Sequence, residues 1–490
     1  MPTLEELERV ARGGPPAPLT GEDRARIAAA RAVVEAALAS GEAVYGVTTG
    51  IGNLASVRIG ADDAAALQLN LVRSHAVGAG PPLDPEVVRG MLALLAASLR
   101  RGYSGVRAEV VDMLVAMLER DVVPVVPSRG SVGSSGDLAP LAHVALVLVG
   151  EGEAWVGGER MAGAAALAGA GLEPLALEPK EGLALINGTH LMAAAGTLAI
   201  RDARRLLDAA VVALALSLEA FKGSTVPFDA RLHAVRPQFG PARVATRLRE
   251  LLAGSDVVAS HADCGRVQDP YTLRCAPQVL GAVDDAFAYV EDALDRELRA
   301  VTDNPLVFPD EGDVVPGGNF HGQPLSLPLD HLALALCELA SFSERRTYAL
   351  LSPSYAELPP FLSPRPGLST GLMITQYAAA ALVNECQVLA HPAGAGSIPT
   401  SAGQEDFNSM GAAAALKARQ AVENCAQVIA TELVCACQGL EFHRPLRTTP
   451  PLEAAVQKVR AIVPRVEDDR VLSAELAELA TAIRTGEVVL

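Results

Sequence analysis

The tightest constraint on this chain's fold is a helical repeat in its second half. Leu329, Leu332, Leu336, Leu339 and Phe342 recur three or four residues apart, which lines up one apolar face of an α-helix. A second long helix is expected from Gly411 past Cys437, with Asn408 or Ser409 as N-cap and Gly439 as its stop. Its alanine-rich start lets neighbouring helices approach closely. Half of the residues are hydrophobic and only 4% are aromatic, a mixture that favours packed helices over a β-sandwich. The expected class is mainly α: an N-terminal mixed region, residues 1–190, leading into a central helical bundle with C-terminal helices, residues 191–490. Neither repeats nor a low-complexity linker separates them, so one shared core is expected.

In the first half, Glu22 to Ala39 and Glu86 to Leu99 should be helices. The run Tyr45-Gly46-Val47-Thr48-Thr49-Gly50-Ile51-Gly52 should be irregular, because its glycines and threonines disfavour helix. Val122 to Asp137 is a second irregular segment, after which Asp137 is placed to cap a helix through Leu148. Pro353 to Gly367, with five prolines, should be a loop.

The 57 acidic residues outnumber the 40 basic ones, for a formal charge of −17. Such a surface argues against binding nucleic-acid phosphates. Seven cysteines (Cys264, Cys275, Cys337, Cys386, Cys425, Cys435 and Cys437) lack C-x-x-C spacing and fall mostly in apolar helical stretches, where a reduced thiol behaves as a small hydrophobe. Met1 to Arg12 lacks a signal-peptide pattern. The longest apolar run, near Ala209 to Phe221, is too short to span a bilayer. A cytoplasmic protein without a membrane partner is expected. The nine histidines show no H-x-x-x-H or H-E-x-x-H pairing, so no metal is expected.

The segment Gly130-Ser131-Val132-Gly133-Ser134-Ser135-Gly136-Asp137 carries the most chemistry. It lacks the lysine of a phosphate loop, and Gly133 and Gly136 are spaced wrongly for a serine-hydrolase elbow. Two readings remain: a plain glycine turn, or internal cyclisation. In the second, one residue's amide nitrogen attacks the carbonyl two residues earlier, and glycine as attacker permits the turn. A central serine can then lose its hydroxyl as water and leave an exocyclic methylene. Ser134-Ser135-Gly136 meets each demand.

Seven separated motifs carry a wider resemblance: Tyr45 to Gly50, Gly130 to His143, Glu181 to Thr189 (E-G-L-A-L-I-N-G-T), Val267 to Cys275 (V-Q-D-P-Y-T-L-R-C), Thr302 to Leu306, Gly317 to His321 and Gln404 to Gly411. Through them nearly the whole chain resembles the aromatic amino acid ammonia-lyases, the family of the histidine, phenylalanine and tyrosine enzymes. The resemblance implies a fumarase/aspartase-like helical fold. It also implies a homotetramer whose sites each draw on three subunits. The family's cofactor is 4-methylidene-imidazol-5-one (MIO), built from an Ala-Ser-Gly triad and requiring no external cofactor. Here Ser134 replaces the alanine. It contributes a carbonyl to the ring while its side chain only projects, so formation of MIO is expected, with Ser135 supplying the methylene carbon.

The implied reaction is anti elimination of ammonia from an α-amino acid. An electrophile improves the leaving group and a positioned base takes the β-proton. Whether the electrophile meets the amine or the aromatic ring stays open. Tyr45 matches the family's base, and a phenol working near neutrality calls for cationic or hydrogen-bonding neighbours. Arg274 corresponds to the carboxylate partner, although a lone arginine more often forms an interhelical salt bridge. Tyr271 and Asn187 match positions that contact substrate or MIO, Gln268 and Asn304 extend that polar shell, and Phe320 resembles a phenylalanine beside the cofactor ring. The selectivity pair corresponds to Ser74-His75, as in the histidine branch, where phenylalanine and tyrosine enzymes usually carry Phe-Leu or His-Leu. Glu405 points the same way, because those enzymes usually have glutamine there. Histidine is the expected substrate and urocanate the product. Asn408-Ser409 is like the phenylalanine branch, however, so a phenylalanine or tyrosine lyase or an aminomutase remains the alternative; a non-catalytic relative is a third possibility if Ser134 blocks cyclisation. His190 stands where glutamine is usual and reads as a satisfied helix histidine.

Overall fold

The computed structural model describes residues 1–488 apart from 42, 61–62, 263–266 and 354–356, so Cys264 and part of the proline-rich loop lie outside the described residues. The chain is mainly α. Its longest helices are His190–Ala220, Ala276–Glu297, Gln323–Leu351 and Gly411–Glu441. Leu329, Leu332, Leu336 and Leu339 are fully buried, each contributing on the order of 2 kcal/mol by removal from water, while Phe342 on the same face is only half-buried. Met410, not Asn408 or Ser409, precedes the first residue of the helix Gly411–Glu441; Ser409 lies one position earlier, its Oγ accepting from the Gly411 N–H at 3.2 Å. Gly439 does not stop that helix, which continues to Glu441; buried in the packing, a single glycine there is outweighed by its neighbours' contacts.

Glu22 to Ala39 lies within the helix Gly21–Ser40, started by a reciprocal capping box between Thr20 and Asp23 and ended by left-handed Gly41. Glu86 to Leu99 lies within Pro85–Leu99. Among the described residues, three small antiparallel sheets accompany the helices. Ala79–Pro82 pairs with Pro127–Arg129, Val123–Pro124 with Glu153–Val156 and then Glu159–Ala162, and Leu306–Phe308 with Asp313–Val315.

The chain forms two compact units. The first comprises residues 1–198, 291–329 and 392–416, and the second 199–290, 330–391 and 417–490. This differs from a split at 190/191, because two later segments return to the N-terminal unit. The cause is long-range packing that no local signal announces. In the second unit, Glu432 is wholly buried and accepts from Arg346 at 2.5 and 2.6 Å and from the hydroxyls of Ser217 and Ser343 at 2.8 and 2.6 Å. Cys337, Cys386, Cys425, Cys435 and Cys437 are free and buried, and Cys275 is half-buried. Burial pushes the thiols of Cys386, Cys435 and Cys437 up to about 12, so they behave as apolar side chains. Among the described residues the helix long and apolar enough to cross a membrane is Gln323–Leu351, not the run at 209–221. Within its most apolar window, 72% is buried inside the protein.

Candidate active site

Glycine geometry builds the loop at 130–137. Gly133 and Gly136 take φ of +72° and +78°, which a side chain disfavours. A Cβ on Gly136 would stand 2.1 Å from the Gly188 oxygen, and one on Gly133 would stand 2.1 Å from Ser409 Oγ. Gly188 clamps the loop from both sides: the Asp137 N–H donates to its oxygen at 2.7 Å, and its own N–H donates to the Ser135 oxygen at 3.2 Å. Between these bonds, the Gly136 N–H donates to no partner among the described residues. The opposite flank is held by Met410 N–H on the Val132 oxygen at 2.9 Å and by Ser409 Oγ on the Gly133 oxygen at 3.2 Å. Ser134 is buried, so its hydroxymethyl group is accommodated. A pinned backbone around a free glycine nitrogen fits the demands of cyclisation to MIO.

Asp137 sits at the N-cap position of the helix Leu138–Leu148 but makes no side-chain cap there. Its carboxylate instead caps the start of His190–Ala220, accepting from Leu191 and Met192 N–H at 2.9 and 3.1 Å, and it also accepts from Ser131 Oγ at 2.8 Å. The expected cap is thus replaced by one on another helix, which joins the loop to the N-G-T segment. Burial dominates the Asp137 carboxyl and pushes its pKa up to about 7, against the hydrogen bonds that favour its charge.

Tyr45 lies in the irregular run before Gly52, whose N–H donates to its phenol oxygen at 3.0 Å. A Cβ on Gly52 would lie 3.3 Å from Ser401 Oγ, so this loop abuts the turn that carries Glu405. There the Thr400 hydroxyl donates to Glu405 Oε2 at 2.6 Å. Burial pushes the Tyr45 phenol above its usual range, the Gly52 N–H opposes this, and the Glu405 carboxylate raises it further. Of the expected activating neighbours, the first unit supplies a hydrogen bond and, among the described residues, no cation. The segment carrying Arg274 belongs to the other unit.

His75 ends the helix Ala64–His75. Three residues on, Gly78 packs closely on Gly130, where an added Cβ would come within 3.2 Å of the Gly78 Cα. The strand pairing of Ala79 with Arg129 keeps this segment beside the loop. His75 Nδ1 is 2.9 Å from the Leu71 carbonyl oxygen. Ser74 Oγ lies 3.1 Å from the same nitrogen; because a carbonyl only accepts, the Leu71 contact favours the tautomer with its proton on Nδ1, which leaves Nε2 to accept from a ligand.

Asn187 is buried beside Gly188, with Nδ2 donating to Asp303 Oδ1 at 3.2 Å and to the Asn304 main-chain oxygen at 2.9 Å. Asn304 Oδ1 accepts from Gly317 N–H at 2.8 Å, tying the T-D-N-P and G-G-N-F-H motifs together. Half-buried Phe320 precedes Gly322, whose N–H reaches the Gly133 oxygen at 3.4 Å. His190 is buried rather than satisfied: its Nδ1 has no partner among the described residues, and burial lowers its pKa to about 4. Sequence reading missed the Gly188 clamp and the buried Lys180–Asp303 pair at 2.7 Å. Their only local signal was adjacency to recognised motifs.

The first unit therefore carries Tyr45, His75, Ser134, Ser135, Gly136, Asn187, Asn304, Phe320 and Glu405. Gln268, Tyr271 and Arg274 belong to the second unit. There Gln268 and Tyr271 are exposed, and the Arg274 guanidinium lies 4.6 Å over the Tyr271 ring. Arg274 makes no salt bridge among the described residues, and its buried Nε has no hydrogen-bond partner. The interhelical salt bridge that a lone arginine usually forms is absent there.

A cyclisable glycine turn, carried in one unit with a candidate base, a carboxylate and buried amides on a long-helix scaffold, is the equipment of a carbon–nitrogen lyase. The chain belongs to the aromatic amino acid lyase family, whose model matches residues 3–461. It is 51% identical over 493 residues to the histidine ammonia-lyase of Anaeromyxobacter sp. (strain K), covering 99% of this chain and 97% of that one. Among solved structures it resembles the histidine ammonia-lyase from Trypanosoma cruzi, with 42% identity, a TM-score of 0.92 and coverage of 99% and 92%. It also resembles the tyrosine aminomutase from Streptomyces globisporus, with 34% identity, a TM-score of 0.94 and coverage of 99% and 96%.

Proposed function

We propose that this chain is a histidine ammonia-lyase, converting L-histidine to trans-urocanate and ammonia by anti elimination. The observation that carries the substrate is His75 beside the glycine loop: with Nδ1 committed to Leu71, its Nε2 can accept the N–H of a substrate imidazole. The relatives named for histidine support the same reading.

The loop would mature by attack of the Gly136 nitrogen on the Ser134 carbonyl carbon. That carbonyl oxygen leaves as one water and the Ser135 hydroxyl as a second. The resulting MIO supplies an electrophilic methylene. Tyr45, once ionised, takes the β-proton of the substrate. Its raised pKa requires a cation in the assembled site, a role suited to Arg274, which also offers two parallel N–H groups to the substrate carboxylate. Glu405 stands beside Tyr45 to hold the imidazole or relay a proton. We further propose a cytoplasmic homotetramer in which another subunit brings Tyr271 and Arg274 to each loop. The free, mostly buried thiols support a reducing compartment.

Purified protein given L-histidine, L-phenylalanine and L-tyrosine separately, and followed by ultraviolet absorbance, tests the reading. Urocanate from histidine is expected. Cinnamate or coumarate without urocanate would sink it, and a β-amino acid product would point to a mutase. Intact mass should fall short of the translated sequence by two waters, and Ser135→Ala should abolish both that loss and the activity.

A further inference from the structure

Lys180 and Asp303 are charged, lie inside the first unit, and have no part in the chemistry above. Lys180 is wholly buried and Asp303 almost so, with Nζ donating to Oδ2 at 2.7 Å. Lys180 also holds a left-handed φ of +79°, a conformation that a lysine keeps only where its surroundings compel it. A buried ion pair adds little net stability, because desolvation offsets most of the attraction. Its use must lie in what it orients.

The second oxygen of Asp303, Oδ1, accepts from the Asn304 N–H at 2.6 Å and from Asn187 Nδ2 at 3.2 Å. Asn187 Nδ2 also donates to the Asn304 main-chain oxygen at 2.9 Å. A carboxylate and a carbonyl can only accept, so the NH2 end of the Asn187 amide must face them. That leaves Oδ1 of Asn187 as the end available to a ligand, and it has no partner among the described residues. The next residue is Gly188, the clamp of the glycine loop. An amide oxygen so placed can accept from an ammonium group but repels a carboxylate. We infer that Lys180 and Asp303 are positioning residues that hold Asn187 as a hydrogen-bond acceptor for the substrate's α-ammonium group. Lys180 holds the Asp303 carboxylate turned towards Asn187, and Asp303 keeps the amide from flipping.

This inference rests on the amino-acid-lyase reading, and the two can fail separately. The holoenzyme and its Asp303→Asn variant are compared for kcat/KM with L-histidine and for competitive inhibition by 3-(imidazol-4-yl)propanoate, which keeps the ring and carboxylate but lacks the amine. The side-chain amide introduced by that substitution can donate to Asn187 and let its amide turn. The variant should lose roughly tenfold or more in kcat/KM, as expected for a misdirected hydrogen bond to a charged group, while the inhibition constant stays within about threefold. Equal weakening of both would overturn the assignment, as would wild-type kinetics. A double K180M/D303N variant removes both buried charges at similar volume and covers the case in which the single variant folds poorly or does not lose two waters by intact mass. The same split between amine-bearing and amine-free ligands is expected, and its absence overturns the proposal. A wild-type enzyme inert to histidine but active on another amino acid would defeat the substrate reading alone, and the comparison then runs with that amino acid and its amine-free analogue.

Discussion

His190→Gln should change how stability depends on pH, by an amount that follows from burial. The imidazole lies buried at the start of the helix His190–Ala220, and burial lowers its pKa from 6.5 to about 4; the Asp303 carboxylate opposes this more weakly. The folded protein therefore keeps the ring neutral down to about pH 4, while the unfolded chain takes up a proton near 6.5. Between those values the unfolded state binds more protons, so this contribution is present above 6.5 and lost as pH falls through 4. At about 1.4 kcal/mol per pH unit, the loss is about 3 kcal/mol. Asp137 acts with the opposite sign. Its folded pKa is raised from 3.8 to about 7, so its contribution is full below 3.8 and lost as pH rises through 7. In the wild type the two trends oppose each other across most of that window; glutamine, which does not titrate, would leave the Asp137 trend exposed. Urea unfolding free energies of both proteins from pH 4 to 8 supply the test. The wild type should lose about 3 kcal/mol relative to the variant on acidification. Parallel profiles would refute the argument from burial.

Gly136→Ala should prevent maturation, because its Cβ would meet the Gly188 oxygen at 2.1 Å in a left-handed backbone. Intact mass should show no loss of water and turnover should fall to background; a matured variant would contradict the tight-turn argument. Glu405→Gln removes a negative charge that raises the Tyr45 phenol, so the acid limb of kcat/KM should move to lower pH, and an unmoved limb would remove Tyr45 from the base role. Glu432→Gln strands the buried Arg346 charge and should cost about 3–5 kcal/mol in urea unfolding. Replacing both partners by apolar residues of similar size should recover most of that loss, and no recovery would show that the hydroxyls of Ser217 and Ser343 matter more than the charge.

Several helices are legible in the residue order because apolar periodicity reports which face of a helix is buried: Leu329, Leu332, Leu336 and Leu339 are buried while Leu334, off that face, is exposed. Periodicity does not report what lies opposite. Asp137 has the right residue type in the right place to cap its own helix, yet its carboxylate reaches Leu191 and Met192 more than fifty positions on. His190 reads as an ordinary helix residue, and only burial makes its Nδ1 unpartnered among the described residues.

The amino-acid sequence by itself determined the family, the mainly α class and the chemical capacity of Ser134-Ser135-Gly136, because residue types at short spacing decide what a backbone can cyclise. Tertiary structure alone decided that Gly188 pins the Ser135 and Asp137 peptide groups while the Gly136 nitrogen stays free among the described residues. It also decided that Lys180, through Asp303, sets which end of the Asn187 amide is offered. The physical reason is that hydrogen bonds choose partners by distance and direction, and residues far apart in the chain acquire these only when it has folded.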